Sequence, residues 1–194
     1  MIRLYRAPFS TNVERVTLAL AHKGLEAESV WIDNSDRSEV ERVSGQGLVP
    51  VIEEDGTVVS DSLAILRHLE DRHPDPPLFP SDPARRAEVD VFLDWFDRVW
   101  KVAPNAIEAE PSRTAQLAAV MDGHLDLFEA MLDGRDHLMG DAFSAADCAA
   151  YPFLKYSVSR DPDDDEAFHV ILDQHQSAEG RPALAGWISR VSGR

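Results

Sequence analysis

The chain is predicted to form an α/β domain followed by an all-α domain, and three observations carry that prediction. Every segment with strand character lies before residue 74. There the strand-like runs alternate with amphipathic helical stretches, the pattern of a small sheet covered by helices. Beyond His73-Pro74-Asp75-Pro76-Pro77-Leu78-Phe79-Pro80-Ser81-Asp82-Pro83, only helical periodicity is found. Five prolines in these eleven residues exclude a helix, because proline fixes φ and lacks an amide N–H, and they favour a stiff extended connector. The expected organisation is therefore an α/β domain over residues 1–73, a linker over 74–83 and an all-helical domain over 84–194.

Taken in order, the first domain reads as a strand Ile2 to Tyr5, a helix Asn12 to Lys23, a strand Ser29 to Ile32 and a helix Arg37 to Val43. A hairpin follows. The β-branched runs Val51-Ile52 and Val58-Val59 flank Asp55-Gly56, a dipeptide that tolerates the positive φ of a tight turn. The next helix runs from Ser62 to Arg72, with Asp61 or Ser62 as its N-cap and Ser62, Ile65, Leu66 and Leu69 on one face. Its free N–H groups and positive dipole end sit at a fixed place beside the hairpin, which suits a carboxylate or phosphate. Strand, helix, strand and then an antiparallel hairpin is the wiring of a thioredoxin-like domain.

In the second domain Val89, Phe92, Leu93, Phe96, Val99, Trp100 and Ala103 fall at steps of three and four, a stripe expected to stop at Pro104. A second stripe runs through Leu117, Val120, Met121, His124, Phe128 and Met131. Ser144-Ala145-Ala146-Asp147 is a capping box, with Phe143 placed to staple against Cys148. The box accounts for these residues as a helix start without a ligand, and Cys148 reads as core filler on that helix.

Composition limits the partners. A chain of 194 residues with 44% hydrophobic content can bury one or two cores, and a formal net charge of -16 makes nucleic acid and anionic membranes poor partners. No apolar run is long enough to span a bilayer, and Met1 leads straight into a strand, so a cytoplasmic protein is expected. One cysteine allows no internal disulfide and no Cys-x-x-Cys chemistry. The seven histidines form no metal pattern. His22, His68 and His73 follow helices whose C-terminal dipole suits a cation, and His124 on an apolar stripe reads as a satisfied core residue. Asp161-Pro162-Asp163-Asp164-Asp165-Glu166 lacks the spacing and glycine of a calcium loop and reads as a solvated turn.

Leu4-Tyr5, Ser10 and Arg15-Val16-Thr17-Leu18-Ala19-Leu20-Ala21-His22-Lys23-Gly24-Leu25-Glu26 are followed by Val49-Pro50 with the hairpin and by Asp61-Ser62, and together these motifs resemble the cytosolic glutathione transferases of the serine type, including bacterial members. Met139-Gly140-Asp141-Ala142-Phe143-Ser144-Ala145-Ala146-Asp147 and Arg181-Pro182-Ala183-Leu184-Ala185-Gly186-Trp187 complete the set. The resemblance spans nearly the whole chain. It implies that Ser10, five residues before Arg15, donates a hydrogen bond to the glutathione sulfur and favours the thiolate. Local sequence alone favours Ser10 as a helix N-cap or loop hydroxyl, a reading the resemblance reverses, and Thr11, Asn12 and Tyr5 stand as alternative donors. The resemblance further implies a cis Val49-Pro50 bond whose Val49 backbone pairs with the cysteinyl segment, and an Asp61-Ser62 pair that holds the γ-glutamyl end. Leu48 departs from the family, which often has a basic or amide residue there to meet the glycyl carboxylate. Gln46, with Arg37 and Arg42 further off, is the candidate replacement. Trp95, Phe96, Val99 and Trp100 are candidate walls for an electrophilic substrate, although core packing explains the stripe.

The function implied is transfer of the glutathione thiolate to a small electrophile by a homodimer, with glutathione as co-substrate and no metal. The alternatives are a non-catalytic ligand-binding or interaction protein of the same fold, or isomerisation, dehalogenation or peroxide reduction at the same site.

Overall fold

The computed structural model describes residues 1–193, which divide into two compact units, one of residues 1–79 and one beginning at Pro80. The first unit is thioredoxin-like, with β1 (Ile2–Arg6), α1 (Thr11–His22), β2 (Ala27–Trp31), α2 (Ser38–Ser44), β3 (Val51–Glu54), β4 (Thr57–Ser60) and α3 (Ser62–Arg72). Its sheet has the order β2-β1-β3-β4, with β2 parallel to β1 and the β3–β4 hairpin antiparallel. Asp55 and Gly56 both take positive φ, 49° and 83°, as the hairpin turn requires. Alternation along β1 divides the core. Tyr5 packs with Ile32, Val40 and Val51 on the α2 side. Leu4 pairs with Ile52 on the opposite face, and both are buried, as are Val16, Ile65, Leu66 and Leu69 of α1 and α3.

The start of the proline-rich segment is pinned to this first unit. Buried Lys23 Nζ donates to Glu70 at 2.8 Å and to the carbonyls of His73 and Pro76, while Glu70 accepts from the N–H groups of Leu78 and Phe79. Each buried charge thus meets its opposite and several backbone dipoles, the condition under which a buried ion pair is tolerated. His68 and His73, expected to serve the α3 dipole, have another partner. Their Nε2 atoms lie 2.8 and 2.7 Å from the two oxygens of buried Glu54 on β3, clamping the hairpin to the end of α3. Burial pushes the Glu54 carboxyl up, but the hydrogen bonds with His73 and His68 outweigh it and hold its pKa below the usual carboxylate range.

The second unit is helical: α4 (Pro83–Trp95), α5 (Val102–Ala109), α6 (Thr114–Leu132), α7 (Ala145–Leu154), α8 (Ala167–His175) and α9 (Pro182–Ser192). The stripe expected to stop at Pro104 continues through it. A π-helical turn, Phe96–Trp100, joins α4 to α5, and Pro104 occupies the first turn of α5, where proline is tolerated. Phe96 and Trp100 stack at 4.5 Å and are essentially inaccessible, so they are core. The capping box forms as expected. Asp147 accepts from Ser144 N–H and also from Trp187 Nε1 at 2.8 Å and Leu138 N–H, so this one buried carboxylate joins α7, α9 and the preceding loop. The acidic run is a correction to the sequence reading. Asp164 is buried, accepts from Tyr156 Oη at 2.7 Å and lies 2.9 Å from His169 Nδ1. An aromatic hydroxyl and an imidazole in the flanking segments give the carboxylate an interior place that the local sequence does not announce. Among the described residues no helix is long and apolar enough to cross a membrane, and no cluster suited to a metal ion is found.

Candidate functional site

Sheet register brings the key loops of the first unit to one end. Tyr5 of β1 pairs with Val51 of β3, and Val51 pairs with Ser60 of β4. The β1–α1 loop ending at Ser10, the Val49-Pro50 approach to β3 and the Asp61-Ser62 start of α3 therefore lie beside one another. Such an end, with two helix N-termini, is where open α/β sheets bind ligands.

Ser10 is the N-cap of α1, its Oγ accepting from Val13 N–H at 3.3 Å. This bond uses a lone pair and leaves the hydroxyl proton free to be donated. Phe9, just before it, holds φ 53°, an uncommon conformation for a bulky residue, and is 40% exposed. Both line a pocket of about 300 Å³ with Arg6, Glu14 and Trp31.

The Val49-Pro50 bond is cis. Among the described residues the Val49 N–H and C=O take no protein partner. At α3, Asp61 is the N-cap with φ 75°, its Oδ1 accepting from Leu63 N–H and Ala64 N–H at 3.0 Å each. That leaves Oδ2 of Asp61 and the N–H of Ser62 without a partner among the described residues. Ser62 Oγ is buried and accepts from Arg15 at 3.2 Å, so its proton too can be donated. Arg15, wholly buried on α1, was read from the sequence only as part of a motif. Its place among the apolar residues Val13, Val16, Ala19 and Leu20 was the available signal that it carries an internal role.

The other sequence candidates fare differently. Tyr5 is fully buried, and its hydroxyl donates to Glu53 at 3.2 Å and accepts from Arg3 at 3.0 Å. Burial, reinforced by Glu53, raises its pKa, so it is a protonated core residue pointed away from the Ser10 loop. Thr11 is buried in the first turn of α1, and half-buried Asn12 is already engaged. Gln46 braces its own loop: Oε1 accepts from Leu48 N–H at 2.6 Å while Nε2 donates to Leu48 O and Ser44 Oγ. Both N–H donors of its amide are spent there, which argues against its use on a ligand carboxylate. Leu48 is 76% exposed. Arg37 is bonded to Asn34, while Arg42 on α2 is exposed. In the helical unit, Phe96 and Trp100 are core, and Val99 faces solvent. Trp95, in contrast, lines an apolar groove of about 550 Å³ with Val91, Phe92, Leu127 and Met131.

Comparison with known proteins bears on the whole chain. The family profile of the glutathione S-transferase N-terminal domain matches residues 4–77, and that of the C-terminal domain matches residues 94–190. The chain belongs to the glutathione transferase family. FtsZ-localized protein A of Caulobacter vibrioides is 32% identical over 170 residues, covering 78% of this chain and 75% of that protein. Glutathione S-transferase Z2 of Arabidopsis thaliana is 37% identical over 91 residues, 44% of this chain and 40% of that protein. Among solved structures, a glutathione S-transferase from Rhodospirillum rubrum superposes with a TM-score of 0.77 at 28% identity, covering 100% of this chain and 89% of that one. The beta-etherase LigF from Sphingobium sp. reaches 0.81 at 21% identity over 100% and 95% of the two chains, a likeness of fold. The chain thus has relatives with differently named roles.

Proposed function

We propose that the protein binds reduced glutathione at the sheet end and directs its thiolate at a small electrophile, with Ser10 stabilising the sulfur anion. The observation that carries this reading is the set of unspent polar groups at that end. Ser10 offers a hydroxyl proton, Val49 an unpaired N–H and C=O, and Ser62 an N–H and a hydroxyl proton. Asp61 offers one free carboxylate oxygen. These match, in turn, a thiolate, a peptide-like middle, and an α-carboxylate with its neighbouring ammonium. A hydrogen bond to a charged group contributes about 1.5–3 kcal/mol, enough to lower a thiol pKa by about one to two units. Ser10 therefore stabilises the nucleophile and does not itself attack. Pairing of two chains into a homodimer completes the proposal, in line with the family resemblance.

Calorimetric titration with reduced glutathione, followed by conjugation rates for wild type and Ser10→Ala, tests this reading. Saturable one-to-one binding and a rate loss in the variant support it; no heat at millimolar ligand rules it out. A second reading, an interaction protein built on the same fold, is favoured by two observations. Leu48 stands exposed where a carboxylate partner is implied, and a relative 32% identical is named for localising with FtsZ. Binding of glutathione with no rate loss in Ser10→Ala would favour that alternative. Relatives named as a maleylacetoacetate isomerase and a Z-type transferase extend the thiolate reading to isomerisation, which needs the same activated sulfur.

A further inference from the structure

The Ser10 pocket carries a cation with no carboxylate partner and two exposed aromatic side chains that the glutathione reading does not use. Arg6, at the C-terminal end of β1, extends over β2, where its guanidinium lies 4.6 Å from the Trp31 ring and Nη1 donates to Ser29 Oγ at 3.4 Å. Its Nε is buried with no hydrogen-bond partner, and Arg6 forms no ion pair with any described carboxylate. Trp31 is 59% exposed and Phe9 40%. In a chain of net charge -16, an arginine left without a carboxylate beside a pocket is conspicuous. Glu14 lines the same pocket and has an interaction of its own.

Strand order separates this pocket from the groups assigned to glutathione. Val49, Asp61 and Ser62 sit on the β3 and β4 side of β1, whereas Arg6 and Trp31 lie toward β2, with Ser10 between. A sulfur held at Ser10 therefore has the peptide on one hand and the Arg6 pocket on the other.

We infer that the electrophile is a single-ring aromatic acid, its ring against Trp31 and Phe9 and its carboxylate on Arg6; this rests on the glutathione reading above. About 300 Å³ admits one ring with a small substituent. Guanidinium and carboxylate form charge-assisted hydrogen bonds about twice as strong as those between neutral groups, so an acid gains more on Arg6 than its amide does.

The test uses two unreactive probes, 4-methylbenzoate and 4-methylbenzamide, titrated calorimetrically without glutathione. It also uses the electrophiles 4-(chloromethyl)benzoate and benzyl chloride with glutathione. In the reaction the thiolate sulfur forms the new C–S bond as the C–Cl bond breaks and chloride leaves. The expected result is a preference of about tenfold or more for each acid over its neutral partner, read in Kd and in kcat/KM. Arg6→Gln abolishes that preference, Arg6→Lys restores part of it, and Trp31→Ala weakens both members of each pair. Equal binding of acid and amide by the wild type overturns the inference, as does an undiminished preference in Arg6→Gln. If Arg6→Gln instead raises the glutathione KM while acid preference persists, Arg6 serves the glycyl carboxylate and the inference also falls. Glutathione titration of the wild type reports separately on the reading beneath it, since failure there leaves the probe titrations intact.

Discussion

Ser10 can hold α1 and a thiolate at once, because capping uses its oxygen as acceptor and thiolate stabilisation uses its proton. The two roles separate by substitution. Ser10→Ala loses the cap, costing about 1 kcal/mol of stability, together with a ten- to hundredfold fall in kcat/KM. Ser10→Asp keeps a capping oxygen but supplies no proton at neutral pH, so thermal stability should stay near wild type while the rate falls at least as far. Recovery of both properties in Ser10→Asp would show that the serine is only a cap. Arg15 acts one step further back, holding the Ser62 hydroxyl in place. Arg15→Met should raise the glutathione KM more than it lowers kcat, since it disturbs the γ-glutamyl end and leaves Ser10 alone; steady-state kinetics over both substrates reads that split.

At the scale of elements, buried carboxylates are the joints. Glu54 ties β3 to α3 through His68 and His73, and its pKa lies below that of a free glutamate. A carboxyl with a depressed folded pKa contributes stability fully present above its unfolded value, about 4.3, and lost as pH falls through the folded pKa. Glu54→Gln, which cannot titrate, should therefore flatten the acid limb of Tm against pH below about 4 and lower the plateau above it. An unchanged acid limb would contradict the clamp. Asp147 holds Trp187, Leu138 and the α7 cap, so Asp147→Ala orphans several buried donors at about 1–3 kcal/mol each and should lower Tm strongly. The capping box was legible because its two partners lie three residues apart. The Glu54 and Asp164 networks were not, because their partners are fixed only when separate helices and strands pack. The same limit hid the place of Pro104, which the sequence marks as a stop and which sits in the first turn of α5.

For the whole molecule, the two-part architecture was readable from the proline-rich segment and the change from alternation to helical periodicity. The hairpin turn was readable from Asp55-Gly56 and the start of α3 from Asp61-Ser62, with packing deciding that Asp61 is the cap. Less of the site was legible, since Arg6 and Trp31 meet only through parallel pairing of β1 with β2. Overall charge has its own consequence. At -16 the protein repels glutathione, itself a net anion, before any contact forms. Raising ionic strength from low salt to about 0.15 M, where the Debye length is near 8 Å, should therefore strengthen glutathione binding. A steep loss of affinity would instead mean that surface cations dominate recognition.

The most direct test of thiolate stabilisation by Ser10 is the ultraviolet absorbance of the glutathione thiolate, titrated against pH in the saturated complex of wild type and of Ser10→Ala. The bound thiol pKa is expected about one to two units lower in wild type than in the variant. Coincident titrations in saturated complexes would contradict it and remove Ser10 from the chemistry.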